Sequence, residues 1–153
     1  MRVWLILLAA LSITVAAPAA DAVSGRIVKV SPFLVDQKGR IALSPSLFDR
    51  DAYQAILRLQ TTNVSAVRFD VLWLASKAPT EKIKIAVEVR GIGTNSVPKL
   101  QTLETNVLPG TFRRWTDLPF AGQAYHDFGR VVAWRVTLWD DDRLLSEQKS
   151  FLW

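Results

Sequence analysis

The chain has 153 residues, no cysteine, one histidine, and 19 Lys and Arg against 14 Asp and Glu, a net charge of +5. That length fits one domain behind a short leader, and the missing cysteine excludes disulfide staples, thiol catalysis and zinc–thiolate sites, so the core must hold by packing. The basic balance favours anionic partners such as envelope polysaccharide, but the longest basic run is Arg113-Arg114, which excludes a concentrated nucleic-acid footprint.

Residues 1–22 have the plan of a secretory signal peptide. Met1-Arg2 gives a positive start, an apolar run follows from Val3 to Ala17, and small residues close it. The run is shorter than the roughly 20 residues of a membrane span. Cleavage fits after Ala19 or after Ala22, and the second is favoured because Pro18 then breaks the apolar helix just upstream of the site. The expectation is an exported chain, periplasmic or secreted, with one domain over residues 23–153. Loss of Arg2 and Asp21 leaves its charge at +5.

Downstream, Gly and Pro punctuate segments that mostly alternate with period 2, the mark of strands with one buried face. Residues 26–35 read as a strand. After Ser44-Pro45-Ser46 the period changes: Phe48, Ala52, Ala55, Ile56 and Leu59 recur at spacings of three and four. This predicts an amphipathic helix over 47–59 that crosses an open end of the fold, with Ser46 as N-cap and Asp49 favouring the helix dipole. Asn63-Val64-Ser65 is a glycosylation sequon, without meaning in a bacterium.

Residues 65–74 place Val67, Phe69, Val71 and Trp73 on one face, with Arg68 and Asp70 opposite. Residues 82–90 turn Ile83, Ile85, Val87 and Val89 inward. Gly91-Ile92-Gly93 is a turn with no helix behind it to cradle a phosphate. Strands at 99–107 and 112–118 follow, then a loop carrying Tyr125-His126-Asp127. Residues 131–139 turn Val132, Trp134, Val136 and Leu138 inward, with Arg135 and Thr137 outward. A last strand at 143–152 closes the chain. Seven short strands with regular turn signals predict an antiparallel β-sandwich with one short helix. The pattern resembles immunoglobulin-like and fibronectin type III-like domains over roughly residues 26–153, without the Cys…Trp…Cys framework or a tyrosine-corner spacing. Such a resemblance implies a fold and licenses no function.

Asp140-Asp141-Asp142 fixes an expected register for the last hairpin. A two-residue loop at Asp141-Asp142 would turn Glu147 and Lys149 into the core, so a three-residue loop is expected, pairing Leu138 with Leu144, Val136 with Ser146 and Trp134 with Gln148. Arg135 then meets Glu147 and Trp139 meets Arg143 on the outside, while the buried Gln148 amide needs a partner.

Candidate sites are sparse. His126 beside Asp127 has the residue types of an acid–base pair, but sequence neighbours on a loop rarely face one another and no nucleophile is marked. Asp140, Asp141 and Asp142 offer oxygen ligands to calcium, though Asp is also a favoured turn residue. Trp139 falls on the polar face with Arg135, where it either stacks on a sugar ring or lies under Arg143 in a cation–π contact. Trp115 and Tyr125 complete the set of candidate aromatic contacts. The final Phe151-Leu152-Trp153 has the terminal aromatic of outer-membrane β-barrels. The alternation before it would aim Glu147 and Lys149 at lipid, and a helix at 47–59 has no place in a small barrel wall. The sequence therefore predicts a non-enzymatic, cofactor-free binding or structural module of the bacterial cell envelope, its partner a polysaccharide or protein. A carbohydrate-binding module using Trp139, Trp115, Tyr125, Arg135 and Arg143 is the alternative, and a small hydrolase using His126 a third.

Overall fold

The computed structural model describes residues 23–76, 82–93 and 96–153, with the side chain of Thr111 excepted. The leader expected over residues 1–22, with both expected cleavage sites, lies outside the described residues. The protein is mainly β, and the described residues form seven strands in two antiparallel sheets. One sheet orders β1 (Ser24–Asp36), β2 (Val64–Ser76) and β5 (Gly110–Ala121) as β1-β2-β5. The other joins β3 (Ile83–Ile92), β4 (Pro98–Val107), β6 (Arg130–Asp140) and β7 (Arg143–Lys149) in the order β4-β3-β6-β7. Among the described residues no helix is long and apolar enough to cross a membrane.

Both sheets feed one core. Val67, Phe69, Val71 and Trp73 of β2 meet Ile83, Ile85, Val87 and Val89 of β3 and Val136 and Leu138 of β6. These are the alternating positions read from sequence, because period 2 aims every second side chain to one face. Trp73 is the largest buried side chain, and its indole N–H donates to Thr116 Oγ1 at 2.9 Å, so its one polar atom is satisfied. On the outer face Arg68 forks onto Asp70 through contacts of 2.7 and 2.9 Å.

One inward assignment in β6, that of Val132, needs correction. The β3–β6 ladder pairs Arg90 with Ala133 and Gly91 with Val131, leaving Val132 as a bulge. The extra residue shifts the alternation, so Val131 packs against the core in place of Val132. Trp134 stays half-buried, its ring edge-on to Phe69 with centroids 6.3 Å apart.

The β6–β7 hairpin also departs from the expected register. Its loop is the two-residue turn Asp141-Asp142, with Asp141 in the left-handed region at φ 49°, and Asp140 pairs with Arg143. A bulge at Leu145 then inserts one residue, and beyond it Leu138 pairs with Ser146, Thr137 with Glu147, Val136 with Gln148 and Arg135 with Lys149. The pairings expected from a three-residue loop do not form. The reasoning about faces nevertheless holds, because the bulge restores the phase that a two-residue loop would lose. Glu147 lies on the face of Arg135, at 3.6 Å, rather than in the core. Among the described residues the Gln148 amide oxygen is buried without a partner.

Helix α1 (Leu47–Leu59) has the predicted bounds, and Ser46 accepts from the Asp49 backbone N–H. Its orientation is the reverse of that expected from amphipathicity. Gln54 and Leu57 are buried, while Phe48 and Leu59 are 82% and 87% exposed. The reason lies at the edge strand β1. Gln54 Oε1 accepts from Leu34 N–H at 2.8 Å, and its Nε2 donates to the carbonyls of Leu34 and Ile41 at 2.9 Å. The side-chain amide thus satisfies backbone groups that no neighbouring strand meets. The helix is consequently held to the β1 edge by hydrogen bonds, with its apolar stripe outward.

The segment read as a loop around His126 is a second helix, α2 (Gly122–Phe128). Gly122 and Gly129 bracket it with φ of 68° and 87°, backbone that Gly adopts at little cost. Phe128 fills the space over Gly91, where any Cβ would lie 2.2 Å from its Cε1.

Candidate functional site

At one end of the two sheets a cleft of about 520 Å³ opens between α1 and α2. Leu34 from β1, Val64 and Val67 from β2 and Val131 from β6 give it an apolar floor. Arg58 from α1, Tyr125 and His126 from α2 and Arg130 from β6 stand around it. Packing of α2 fixes that rim. Phe120 takes Phe128 and Tyr125 edge-on, with centroids 5.0 and 5.6 Å away, which seats one face of α2 in the core. His126, next on the helix, is left exposed, its ring 5.9 Å from that of Tyr125.

The cleft is basic and holds no carboxylate among its lining residues. Among the described residues neither Arg58 nor Arg130 has a carboxylate within ion-pair distance. Burial pushes the Tyr125 phenol above its ordinary value of 10, so at neutral pH it is a hydrogen-bonding hydroxyl. Asp127 does not orient His126, because its carboxylate accepts from Gln123 Nε2 at 2.7 Å and its backbone carbonyl from Lys99. The arrangement can take up an anion over an apolar surface. It places no nucleophile–base–acid series around a reacting atom.

The aromatic and charged candidates from sequence do not converge. Trp115 is 57% exposed on β5 in the three-stranded sheet. Trp139 belongs to the four-stranded sheet, where Lys84 lies 6.0 Å from its ring centroid. Tyr125 belongs to the cleft. The expected Arg143–Trp139 contact is replaced, because Arg143 turns to the Asp140 carboxylate at 3.1 Å and to the carbonyl of Val23. Asp140 is thereby occupied, Asp141 and Asp142 form the hairpin turn, and among the described residues no three His, Cys, Asp or Glu gather as a metal site. Arg135 is held by Glu88 at 2.5 Å and leans on Trp153, 5.0 Å from its ring. Arg90 covers Trp153 more closely, at 3.9 Å, a stack invisible to a reading of local spacing.

A second polar cluster was missed in the sequence. The buried Asp36 carboxylate accepts from the backbone N–H groups of Lys38 and Arg40, from Arg40 Nε, each at 2.8 Å, and from Tyr53 OH at 2.7 Å. Burial alone would raise its pKa. The backbone N–H of Arg40, the Tyr53 hydroxyl, the Arg40 guanidinium and the N–H of Lys38 outweigh it and hold the carboxyl well below the usual carboxylate range. The same contacts raise Arg40 and Tyr53, for each of which the hydrogen bond to Asp36 is the largest cause. The cluster closes the turn after β1 and ties it to α1, a structural role. Its signal was available: an Asp followed by a turn with Gly39 is the pattern in which a carboxylate bonds its own downstream backbone.

No family model matches the chain, and comparison with curated proteins finds no relative.

Proposed function

We propose that this chain is an exported, non-enzymatic β-sandwich binding module of the bacterial cell envelope, and that it takes a small anionic ligand with an apolar body in the end cleft. Export rests on residues 1–22. The sandwich reading is supported by two antiparallel sheets sharing one core, with the first, second and fifth strands in one layer. β4 pairs beside β3, the position of the added C′ strand of immunoglobulin-like sheets, and a fibronectin type III-like sandwich is the closest description.

The observation that carries the function is the pairing of cationic Arg130 and the His126 imidazole with an apolar floor that contains no counter-charge. Its volume lies within the roughly 300–1,000 Å³ of small-ligand sites. A buried hydrocarbon portion would supply affinity and the rim cation orientation. Titration calorimetry of the exported protein with octanoate, and with octanol as the neutral match, tests this. Octanoate is expected to bind, octanol to bind at least about tenfold more weakly, and Arg130→Glu to remove the difference, the loss of one charge-assisted contact. Equal binding of acid and alcohol, or binding indifferent to Arg130, refutes the reading.

A further inference from the structure

The outward stripe of α1 points to a second copy of this chain. At about 100° per residue, Phe48, Ala52, Ala55, Ile56 and Leu59 fall within one sector about 100° wide, opposite Tyr53, Gln54 and Leu57. All five are exposed. The stripe reads nearly the same in both directions. Phe48 and Leu59 are equidistant from the midpoint between Tyr53 and Gln54, and so are Ala52 and Ala55. Large residues thus sit at both ends and small ones at the centre. A second α1 laid antiparallel, with the two-fold axis at that midpoint, sets each Phe48 level with the second copy's Leu59 and each Ala52 level with its Ala55. The alanines allow the close approach, and the large side chains fill the space beyond them.

The charges choose between this occupant and a membrane. Asp51 and Arg58 lie on one flank of the stripe and Asp49 on the other. Carboxylates on both flanks oppose an anionic lipid surface, which selects for Lys and Arg there. The same two-fold that matches the apolar residues brings each Asp51 within about 3 Å along the helix axis of the second copy's Arg58, on a shared flank, from the 1.5 Å rise per residue. Arg58 has no carboxylate within ion-pair distance among the described residues, whereas Asp51 already accepts from Arg50 at 3.0 Å with its side chain 70% exposed. We propose that the protein forms a two-fold dimer through antiparallel packing of α1, closed by two Asp51–Arg58 ion pairs. Arg58 also stands on the rim of the cleft, so self-association is measured without cleft ligand, and Asp51→Arg and Ala52→Arg, at positions that do not line the cleft, separate the dimer from the ligand reading.

Sedimentation equilibrium of the exported protein, from micromolar to millimolar, is the test. A reversible dimer is expected, and Ala52→Arg, on an exposed position, is expected to leave a folded monomer by circular dichroism. Asp51→Arg and Arg58→Asp each place like charges together twice, and each is expected to weaken self-association by about tenfold or more. An equimolar mixture of the two variants restores opposite charge at both flank contacts and is expected to dimerise within about threefold of the wild-type constant. A monomer throughout the range overturns the proposal, as does a dimer indifferent to Ala52→Arg or a mixture no tighter than its components. Cosedimentation of the monomer with phosphatidylglycerol vesicles, abolished by Ala52→Arg, would give the face to lipid and overturn it equally.

Discussion

Gly91→Ala is expected to be among the most destabilising single-methyl additions to this fold. The new Cβ would lie 2.2 Å from Phe128 Cε1 and 2.7 Å from the carbonyl oxygen of Arg130. Carbon atoms rest at about 3.5–4.0 Å, so the ring would have to retreat by more than an ångström. It has little room to do so, since Phe128 is buried and its ring abuts Phe120 at 5.0 Å. Overpacking of this kind costs about 1–3 kcal/mol, and a backbone atom as second obstacle puts the expectation near 3 kcal/mol. Gly39→Ala is the control. Its Cβ meets nothing within 4 Å, but φ is 78°, so only backbone strain of about 1 kcal/mol applies. Urea denaturation followed by tryptophan fluorescence measures both. Phe128→Leu, which has no atom at the Cε1 position, should recover at least about 1 kcal/mol of the Gly91→Ala loss in a double-mutant cycle. A Gly91→Ala cost no larger than that of Gly39→Ala, or an additive cycle, would refute the packing argument.

Three further outcomes follow from the same physics. Asp36 has a depressed pKa in the folded protein, so its stabilisation is present above the unfolded value near 4 and is lost as pH falls below it; Asp36→Asn should be less stable than wild type at pH 7, and the gap should narrow by pH 3 in urea titrations. Gln148→Met keeps the volume and removes a buried, unpartnered amide oxygen, so it should be neutral or stabilising by up to about 1 kcal/mol; a loss above about 1 kcal/mol by calorimetric melting would show that the amide is satisfied in solution. Trp134→Ala should cost about 3 kcal/mol, through its contact with Phe69 and the core, and Trp139→Ala, on the outer face beside Lys84, clearly less; the reverse order in denaturant titrations would overturn the face assignment of β6.

The seven strands and the helix over 47–59 were legible because their signals are local: alternation along β2 and β3, and the Ser46 cap with its change of period before α1. What the sequence concealed depended on partners distant along the chain. The direction α1 faces was set by Gln54 meeting Leu34 and Ile41, polar contacts that outweighed an apolar stripe at good helical spacing. Helix α2 is seven residues long and has no side-chain cap, so nothing in Gly122–Phe128 distinguishes it from a loop until Phe120 and Gly91 receive its aromatic rings. The cleft draws on residues from Leu34 to Val131, a span over which spacing carries no information. Single-residue irregularities were equally hidden, since the bulges at Val132 and Leu145 answer to neighbouring strands rather than to their own sequence.

The bulge at Leu145 and the turn at Asp141-Asp142 act as one unit. Each displaces the strand by a residue, and only together do they leave Glu147 and Lys149 facing water. A turn that drew in Arg143, with Leu145 returned to the ladder, would keep every pairing from Ser146 to Lys149 unchanged, whereas either rearrangement alone would shift that strand by one residue and invert it. Without insertion or deletion, the turn can therefore change size only in step with the bulge three residues away, a coupling that ordinary surface loops do not impose.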